Sequence, residues 1–136
     1  MIVGIGVDLC SVERMEQAAE KENFCARVFT EEELAYADAR GKGRARSLAA
    51  MFAAKEAFTK ALGTGVRDLS LTDICVRHSS LGAPYYLITG AARLRMEERG
   101  ITRLHLSLSH EDGLAIAFCT AEKADPPAGN GGVIRL

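Results

Sequence analysis

The stretch Arg46–Gly65, RSLAAMFAAKEAFTKALGTG, decides the fold that this sequence predicts. Alanine, leucine, methionine, lysine and glutamate dominate it, and these are the strongest helix formers. Its large side chains recur at steps of three and four residues, which is the period of a helix with one apolar face: Leu48, Met51, Phe52, Lys55, Phe58 and Leu62. Glycine tolerates the left-handed backbone that ends a helix, so Gly63-Thr64-Gly65 marks its end. We predict one long, largely buried helix.

Glu56 and Lys60 share one face of this helix because they are four residues apart, and Gly63 continues that face into the turn. Most such pairs are solvated and are worth a few tenths of a kcal/mol. Here the helix is otherwise rich in alanine and large apolar residues, and it runs straight into a glycine turn. These two features favour an acid and a base of a functional site. Lys55 lies on the apolar stripe, and we expect its stem to follow that stripe with the ammonium group in water.

The segment Gly41–Arg46, GKGRAR, is basic and rich in glycine. Such a segment is usually a solvated, flexible connection. It also precedes the N-terminal end of the central helix, where anions are favoured, so it is a candidate phosphate site. The sequence leaves both interpretations open.

The first residues of the chain predict a strand that ends in a carboxylate. Val3, Ile5 and Val7 alternate with two glycines and with Asp8. Glycine weakens a strand, and a common reason for it is the close approach of a ligand or of another backbone. Asp8 could therefore bind a ligand, or it could cap the helix that follows, and the sequence does not decide between the two.

The remaining elements follow from local signals. A helix is predicted from Ser11 to Glu20, with an apolar stripe that continues through Phe24, Val28 and Phe29. Thr30 and Glu33 have the spacing of a capping box before a helix at 31–40. Two strands, 74–78 and 85–89, form a predicted hairpin, and a helix follows at 91–99. Two further strands, 104–110 and 114–119, flank a tight turn at Glu111-Asp112-Gly113.

This order of elements predicts an α+β domain with a mainly antiparallel sheet packed by helices. The domain would span residues 1–122. Residues 123–136 are rich in proline and glycine, and we expect them to form a flexible C-terminal tail.

Composition excludes several classes of protein. The net charge of -1 gives no global sign of nucleic-acid binding. No apolar run approaches the roughly 20 residues that cross a membrane, and no basic segment of a secretory signal precedes the first strand. The four cysteines have no metal-ligand spacing and are expected to be reduced thiols in a cytoplasmic protein. Ser109 and His110 are adjacent on a strand, so they face opposite sides and cannot form a nucleophile–base pair.

The candidate residues together suggest one kind of chemistry. Asp8 and Glu56 could hold a hard divalent ion such as Mg²⁺, which keeps several waters and takes substrate phosphates as its remaining ligands. Lys60, one turn from Glu56, could neutralise charge on a leaving phosphate or position a nucleophile. Nearby glycines would permit close approach. This set suits a metal-assisted phosphoryl-type transfer.

At these residues the chain resembles the holo-[acyl carrier protein] synthases, small bacterial phosphopantetheinyl transferases. Three motifs carry the resemblance: Gly4-Ile5-Gly6-Val7-Asp8 followed by Val12-Glu13-Arg14-Met15, then Phe52-Ala53-Ala54-Lys55-Glu56-Ala57 continuing through Lys60-Ala61-Leu62-Gly63-Thr64-Gly65, and Leu106-Ser107-Leu108-Ser109-His110 with Ala115 to Ala117 beyond it. The match covers about residues 2–122. Each motif alone is weak, but the three in this order are very specific.

The resemblance implies the 4'-phosphopantetheinyl transferase fold and the family's activity. Family members transfer the 4'-phosphopantetheine arm of coenzyme A to a serine of apo-acyl carrier protein, require Mg²⁺, and release adenosine 3',5'-bisphosphate. This reaction supports fatty acid biosynthesis. The family is typically a homotrimer with active sites at subunit interfaces, so coenzyme A, the carrier protein and two further copies of the chain are the expected partners.

The resemblance also implies roles for individual residues. Asp8 and Glu56 match the family's metal ligands, and Lys60 matches its active-site lysine. The implied mechanism leaves the acceptor of the serine proton open between Glu56 and a water on the metal. Arg14 matches a basic residue that meets the acidic carrier protein. The positions implied to line the coenzyme A site are Gly63, Thr64, Gly65, Pro84, Ser109 and His110.

One position departs from the family pattern. Many members have arginine immediately before the Phe-Ala-Ala-Lys-Glu motif, where this chain has Met51. The basic residues Lys42, Arg44 and Arg46 could compensate, and Arg46 is therefore predicted to bind coenzyme A. Two other classes stay open at this point. A Mg²⁺-dependent phosphohydrolase or nuclease could use the same three residues, and a non-catalytic coenzyme A-binding oligomer would tolerate Glu56→Gln.

Overall fold

A computed structural model describes residues 1–65 and 68–125. Its elements, in chain order, are β1 (Ile2–Ser11), α1 (Val12–Ala18), α2 (Glu22–Val28), α3 (Glu31–Asp38), α4 (Arg44–Leu62), β2 (Ile74–His78), β3 (Pro84–Ile88), α5 (Gly90–Glu98), β4 (Ile101–Glu111) and β5 (Leu114–Lys123). Short 3₁₀ turns at Gly41–Gly43 and Leu71–Asp73 lie on either side of α4.

The strands form two antiparallel sheets. One sheet has three strands in the order β1-β5-β4, and the other is the β2-β3 hairpin. β5 lies in the middle of the larger sheet, as its nearly continuous apolar sequence predicts, and α4 packs across it. The predicted α+β class with a mainly antiparallel sheet packed by helices is confirmed.

The two glycines of β1 are explained by the packing of α4. A Cβ atom placed on Gly4 would lie 1.9 Å from the carbonyl oxygen of Ala61, and one on Gly6 would lie 1.9 Å from that of Ala57. No side chain fits in either place, so the strand and the helix backbone can touch only if both residues are glycine. Of the two reasons considered from the sequence, close approach of another backbone is the one that applies. The contact places the first half of β1 along the last turns of α4.

Local signals fixed most of the element ends. Ser11 caps α1, because its hydroxyl accepts from the Arg14 amide at 3.2 Å. The capping box at the start of α3 is complete, with Thr30 and Glu33 each satisfying the other's backbone amide. Asp112 and Gly113 have φ angles of 48° and 76°, which is the left-handed backbone that a tight hairpin turn requires. α2 is a separate helix that the apolar stripe alone did not distinguish.

Two predictions about the region of α4 are wrong. The segment at 41–46 is not a flexible loop, because Gly41–Gly43 form a 3₁₀ turn and Arg44 already begins α4. The ammonium group of Lys55 is not in water, because the whole side chain is buried and is paired with Glu33 at 2.8 Å. Most of the predicted tail, residues 126–136, lies outside the described residues, and the domain boundary at residue 122 stays a prediction.

Candidate active site

Asp8 and Lys60 meet where β1 crosses α4. The ammonium group of Lys60 donates to Asp8 Oδ1 at 3.1 Å and to the carbonyl oxygen of Val7 at 2.9 Å. The Lys60 side chain is 54% exposed and that of Asp8 is 18% exposed. The pair is therefore held by the fold but remains open to a ligand.

Glu56 completes this cluster from one turn earlier in α4. Burial raises the pKa of its carboxyl group, the negative charge of Asp8 raises it further, and Lys60 partly offsets both effects. Two carboxylates that repel each other beside one ammonium group make a site that favours an additional cation. The structure thus brings together the three residues that the sequence proposed for the chemistry, while their roles stay a prediction.

Asp8 does not cap the helix that follows it. It lies inside β1, opposite Ala117 of β5, and Ser11 is the N-cap of α1. The capping alternative is therefore wrong. Arg14, the residue predicted to meet the carrier protein, is exposed in the first turn of α1.

Cys10 is a member of the cluster that the sequence analysis did not identify. Burial raises the pKa of its thiol to about 11, and the charges of Asp8 and Glu56 contribute to the rise. Since a thiol with this pKa stays protonated, Cys10 is an uncharged neighbour of the two carboxylates. Its position two residues after Asp8 on a strand, hence on the same face, was the available signal.

A second group of predicted residues lines a cavity of about 200 Å³. Arg46 contributes from α4, Pro84 from the start of β3, and Ser109 and His110 from the end of β4. All four were predicted to bind coenzyme A. The sequence analysis did not include Tyr36, Arg40 or His78, which line the same cavity.

The glycine turn after α4 belongs to neither group. Gly63 has a φ angle of 83° and is the left-handed C-cap of α4, as predicted. The guanidinium of Arg99 donates to the carbonyl oxygen of Leu62, just before the turn. The hydroxyl of Thr64 donates to the carbonyl oxygen of Gly65 at 3.3 Å. None of these three turn residues is among those that line the cavity around Arg46.

The basic residues of the 41–46 segment have different surroundings. Arg44 is paired with Asp38 at 2.7 Å. Lys42 and Arg46 both line a larger neighbouring cavity of about 440 Å³. Met51, which occupies the place of the family arginine, is 1% exposed in the core. Arg46 is therefore the basic residue of the 41–46 segment that reaches the cavity of Pro84, Ser109 and His110.

Glu56 also borders a groove of about 550 Å³, which shares no lining residue with the cavity around Arg46. Phe24 and Phe52 form part of its wall, and Leu69 and Leu71 form another. Phe24 and Phe52 also contact each other, with ring centroids 6.4 Å apart. The cluster of Asp8, Glu56 and Lys60 therefore has an apolar surface directly beside it.

The donor set suits magnesium better than a metal that needs an all-protein cage. Within residues 1–65 and 68–125 there is no group of three or more histidine, cysteine, aspartate or glutamate side chains arranged to hold a metal. Two carboxylates with exposure to solvent fit an ion that keeps waters and binds substrate phosphates. All four cysteines are free thiols. In the described part of the chain, no helix combines the length and the apolar character needed to cross a bilayer.

Comparisons with known proteins agree on one family. Residues 4–119 match the 4'-phosphopantetheinyl transferase superfamily. A holo-[acyl-carrier-protein] synthase of Treponema denticola is 42% identical over 90% of this chain and 99% of its own length. The crystal structure of the Neisseria meningitidis synthase superimposes with a TM-score of 0.82 at 41% identity, covering 90% of this chain and all of that one (100%).

A further solved relative carries a ligand. The Helicobacter pylori holo-[acyl-carrier-protein] synthase, in complex with coenzyme A, has a TM-score of 0.75 at 32% identity and covers 87% of this chain and 99% of that one. The family match and the two solved relatives cover most of this chain with the same fold. The chain therefore belongs to the 4'-phosphopantetheinyl transferase superfamily, and within it to the holo-[acyl-carrier-protein] synthases.

Proposed function

We propose that this protein transfers the 4'-phosphopantetheine arm of coenzyme A to a serine of an apo-acyl carrier protein. The observation that carries the proposal is the cluster of Asp8, Glu56 and Lys60, in which Lys60 lies 3.1 Å from Asp8 and both charges act on Glu56. Coenzyme A is bound by the Helicobacter pylori relative, which supports the choice of donor.

Asp8 and Glu56 would hold Mg²⁺, because two neighbouring carboxylates favour a cation. Burial is the main cause of the raised pKa of Glu56, and the charge of Asp8 adds to it. When bound, the ion supplies charge neutralisation at the pyrophosphate of coenzyme A. Binding of Mg²⁺ can be tested without turnover by titrating the ion into the protein in a calorimeter. Asp8→Asn should abolish the binding heat, and the same removal of charge at exposed Glu98 should leave it unchanged. Equal Mg²⁺ affinity in wild type and Asp8→Asn would remove Asp8 from the site.

The chain's own side chains then have distinct tasks. The serine oxygen of the carrier protein forms a bond to the β-phosphorus, and the bond from that phosphorus to the bridging oxygen breaks. The acceptor of the serine proton would be the Glu56 carboxylate or a water beside it. Lys60 offsets the negative charge on the departing adenosine 3',5'-bisphosphate. Arg14, exposed on α1, contributes to docking of the acidic carrier protein.

The nucleotide end of coenzyme A would occupy the cavity of Arg46, Pro84, Ser109 and His110. Gly63, Thr64 and Gly65 would contact coenzyme A just beyond Lys60, at the C-terminal end of α4. The cavity and the groove beside Glu56 have no lining residue in common.

A homotrimer is the proposed assembly. The outer face of the larger sheet exposes Ile5, Val7 and Leu9 of β1 together with Phe118 of β5, and their exposed fractions lie between 44% and 63%. An apolar face of this kind marks an interaction surface. Light scattering on the purified protein should give three times the mass of the chain, and Val7→Lys should reduce it to one. A monomeric wild type would contradict this assembly.

The four free thiols support a cytoplasmic location, where the reaction would serve fatty acid biosynthesis. The decisive experiment is the intact mass of an apo-acyl carrier protein after incubation with this protein, coenzyme A and Mg²⁺. We expect a gain of one phosphopantetheine unit that is lost with EDTA and in Glu56→Gln, and retained in Glu98→Gln. A full gain in Glu56→Gln would overturn the assigned chemistry, and no gain with any carrier protein would overturn the function.

A further inference from the structure

The last turn of α4 carries Lys60 and is closed by Gly63. The final carbonyl groups of a helix have no partner within the helix, so helices fray from their ends. Here the amide of Gly63 donates to the carbonyl oxygens of Thr59 and Lys60, each at 3.1 Å. The carbonyl oxygen of Leu62, the last residue of α4, takes its partner from outside the helix.

Arg99, at the end of α5, is that partner. Its guanidinium group donates to the carbonyl oxygen of Leu62. The same group lies over the turn, since a Cβ atom placed on Gly63 would be 2.8 Å from Nη1 of Arg99. A cation at the C-terminal end of a helix is favoured by the helix dipole as well as by the hydrogen bond. One guanidinium group therefore covers both the last residue of α4 and the glycine that ends it.

The backbone of Arg99 is held by its own surroundings. Arg99 is the C-cap of α5, and its amide donates to the carbonyl oxygen of Met96 at 3.2 Å. Met96 before it and Ile101 after it are both buried in the core. The guanidinium group therefore reaches Leu62 from a fixed place in the fold.

Lys60 is the residue whose placement depends on this helix end. Its ammonium group bridges from α4 to β1, where it donates to the carbonyl oxygen of Val7 at 2.9 Å and to Asp8 at 3.1 Å. Its own carbonyl oxygen is one of the two that the Gly63 amide holds. If the last turn opened, the backbone of Lys60 would move and its ammonium group would leave Asp8. A displacement of about 1 Å at a reacting group can lower a rate about 100-fold.

We propose that Arg99 is a positioning residue for the transfer reaction. By closing the C-terminal end of α4, it holds Lys60 where Lys60 offsets the charge of the departing phosphate. This rests on the proposed function. Arg99 acts through the helix end and not by contact with coenzyme A.

Arg99→Leu removes both the donor and the charge at an exposed position. The amide of Gly63 should then exchange its hydrogen with solvent about 5-fold faster, because the last turn opens more often. NMR of the protein without substrate or metal measures this rate. The kcat for transfer should fall about 10-fold, while the KM for coenzyme A should change less than about 2-fold. Arg99→Lys keeps a charged donor and should return both the exchange rate and kcat to within about 3-fold of wild type.

A double variant separates positioning from a general loss of stability. In Lys60→Met the group that Arg99 positions is gone, so adding Arg99→Leu should lower kcat less than about 2-fold further. A further loss as large as that of Arg99→Leu alone would show that Arg99 acts independently of Lys60, and it would overturn the proposal. Unchanged kcat in Arg99→Leu would overturn it as well.

Arg93→Leu is the matched control, since Arg93 also lies on α5 but is paired with Glu97 of the same helix at 3.1 Å. It should leave both the Gly63 exchange rate and kcat unchanged. Equal effects in Arg93→Leu and Arg99→Leu would assign them to α5 as a whole and contradict the role of Arg99. In all these outcomes, continued transfer by wild type leaves the proposed function standing. A wild type that transfers no phosphopantetheine would instead overturn that function, and this proposal with it.

Discussion

Two lysines of α4, Lys55 and Lys60, stand five residues apart and have opposite environments. Lys55 is completely buried, and its ammonium group donates to Glu33 Oε1 at 2.8 Å and to the carbonyl oxygens of Leu71 at 2.9 Å and Ile74 at 2.8 Å. Lys60 is largely exposed and contacts Asp8. The first lysine has a protein acceptor for each of its three donors, whereas the second keeps capacity for a ligand.

The buried lysine joins three parts of the fold. Glu33, its partner on α3, also accepts from the backbone amides of Thr30 and Val76, each at 2.9 Å. Among the described residues no buried side-chain nitrogen or oxygen lacks a hydrogen-bond partner. Burial lowers the pKa of Lys55 and the Glu33 charge opposes this. The comparison teaches that the same residue type holds α4 in place at one position and is available for chemistry at another.

The largest effect is expected from Lys55→Met. Removing the ammonium group leaves the Glu33 carboxylate buried without its charge partner, which typically costs about 3–5 kcal/mol. This is a large share of the stability of a typical domain, about 5–15 kcal/mol. Urea unfolding followed by circular dichroism measures the loss. Lys60→Met is the control, and its free energy of unfolding should stay within about 1 kcal/mol of wild type because the pair with Asp8 is exposed. Equal losses in the two variants would contradict the distinction.

The next effect concerns activity rather than stability. Lys60→Met should lower kcat/KM for transfer about 100-fold, or about 2.7 kcal/mol in the transition state, since a charge beside the departing phosphate is removed. The drop should fall mainly on kcat. Steady-state kinetics with coenzyme A and a carrier protein, at a temperature where the variant is folded, provide the measurement. Wild-type kcat in this variant would exclude Lys60 from the chemistry.

The sequence predicted what depends on local signals. The Thr30–Glu33 capping box and the turn at residues 111–113 each follow from residues three or fewer apart, and both are present. The reactive residues were found from their types and from the helical spacing of Glu56 and Lys60. Their contact with Asp8 nevertheless depends on how β1 crosses α4.

What the sequence could not supply depends on contacts between distant residues. Glu33 satisfies its local capping role and also pairs with Lys55, which lies 22 positions further on. Helical periodicity places Lys55 on the apolar stripe. It does not predict that the carboxylate of another helix packs against the ammonium group. The stack of Tyr36 on His78 joins α3 to β2 and gives no signal in either element alone. Such pairings follow from tertiary packing, and residues that meet only through tertiary packing have no characteristic spacing in the sequence.

A double variant sharpens the account of the buried pair. In Lys55→Met with Glu33→Gln, the remaining side chain is neutral. Its single oxygen can accept from either Thr30 or Val76, which donate to different oxygens of the Glu33 carboxylate. We expect the double variant to recover about 1–3 kcal/mol relative to Lys55→Met alone, because the unpaired buried charge is gone. The free energies of the four proteins of the cycle, measured in urea, give the coupling. Additive losses would mean that the two side chains do not interact as a charge pair.

The smallest effect is a shift in the titration of Glu56, and it tests the exposed lysine. Burial and Asp8 raise the pKa of the Glu56 carboxyl group, and Lys60 lowers it. In EDTA, carboxyl-carbon NMR should therefore show Glu56 titrating above the usual range of glutamate. Its midpoint should move further up in Lys60→Met, where the opposing positive charge is lost, and down in Asp8→Asn, where the repelling charge is lost. The direction of both shifts follows from Coulomb's law within this cluster. If the titration midpoint of Glu56 were the same in Lys60→Met as in wild type, Lys60 and Glu56 would not share a site.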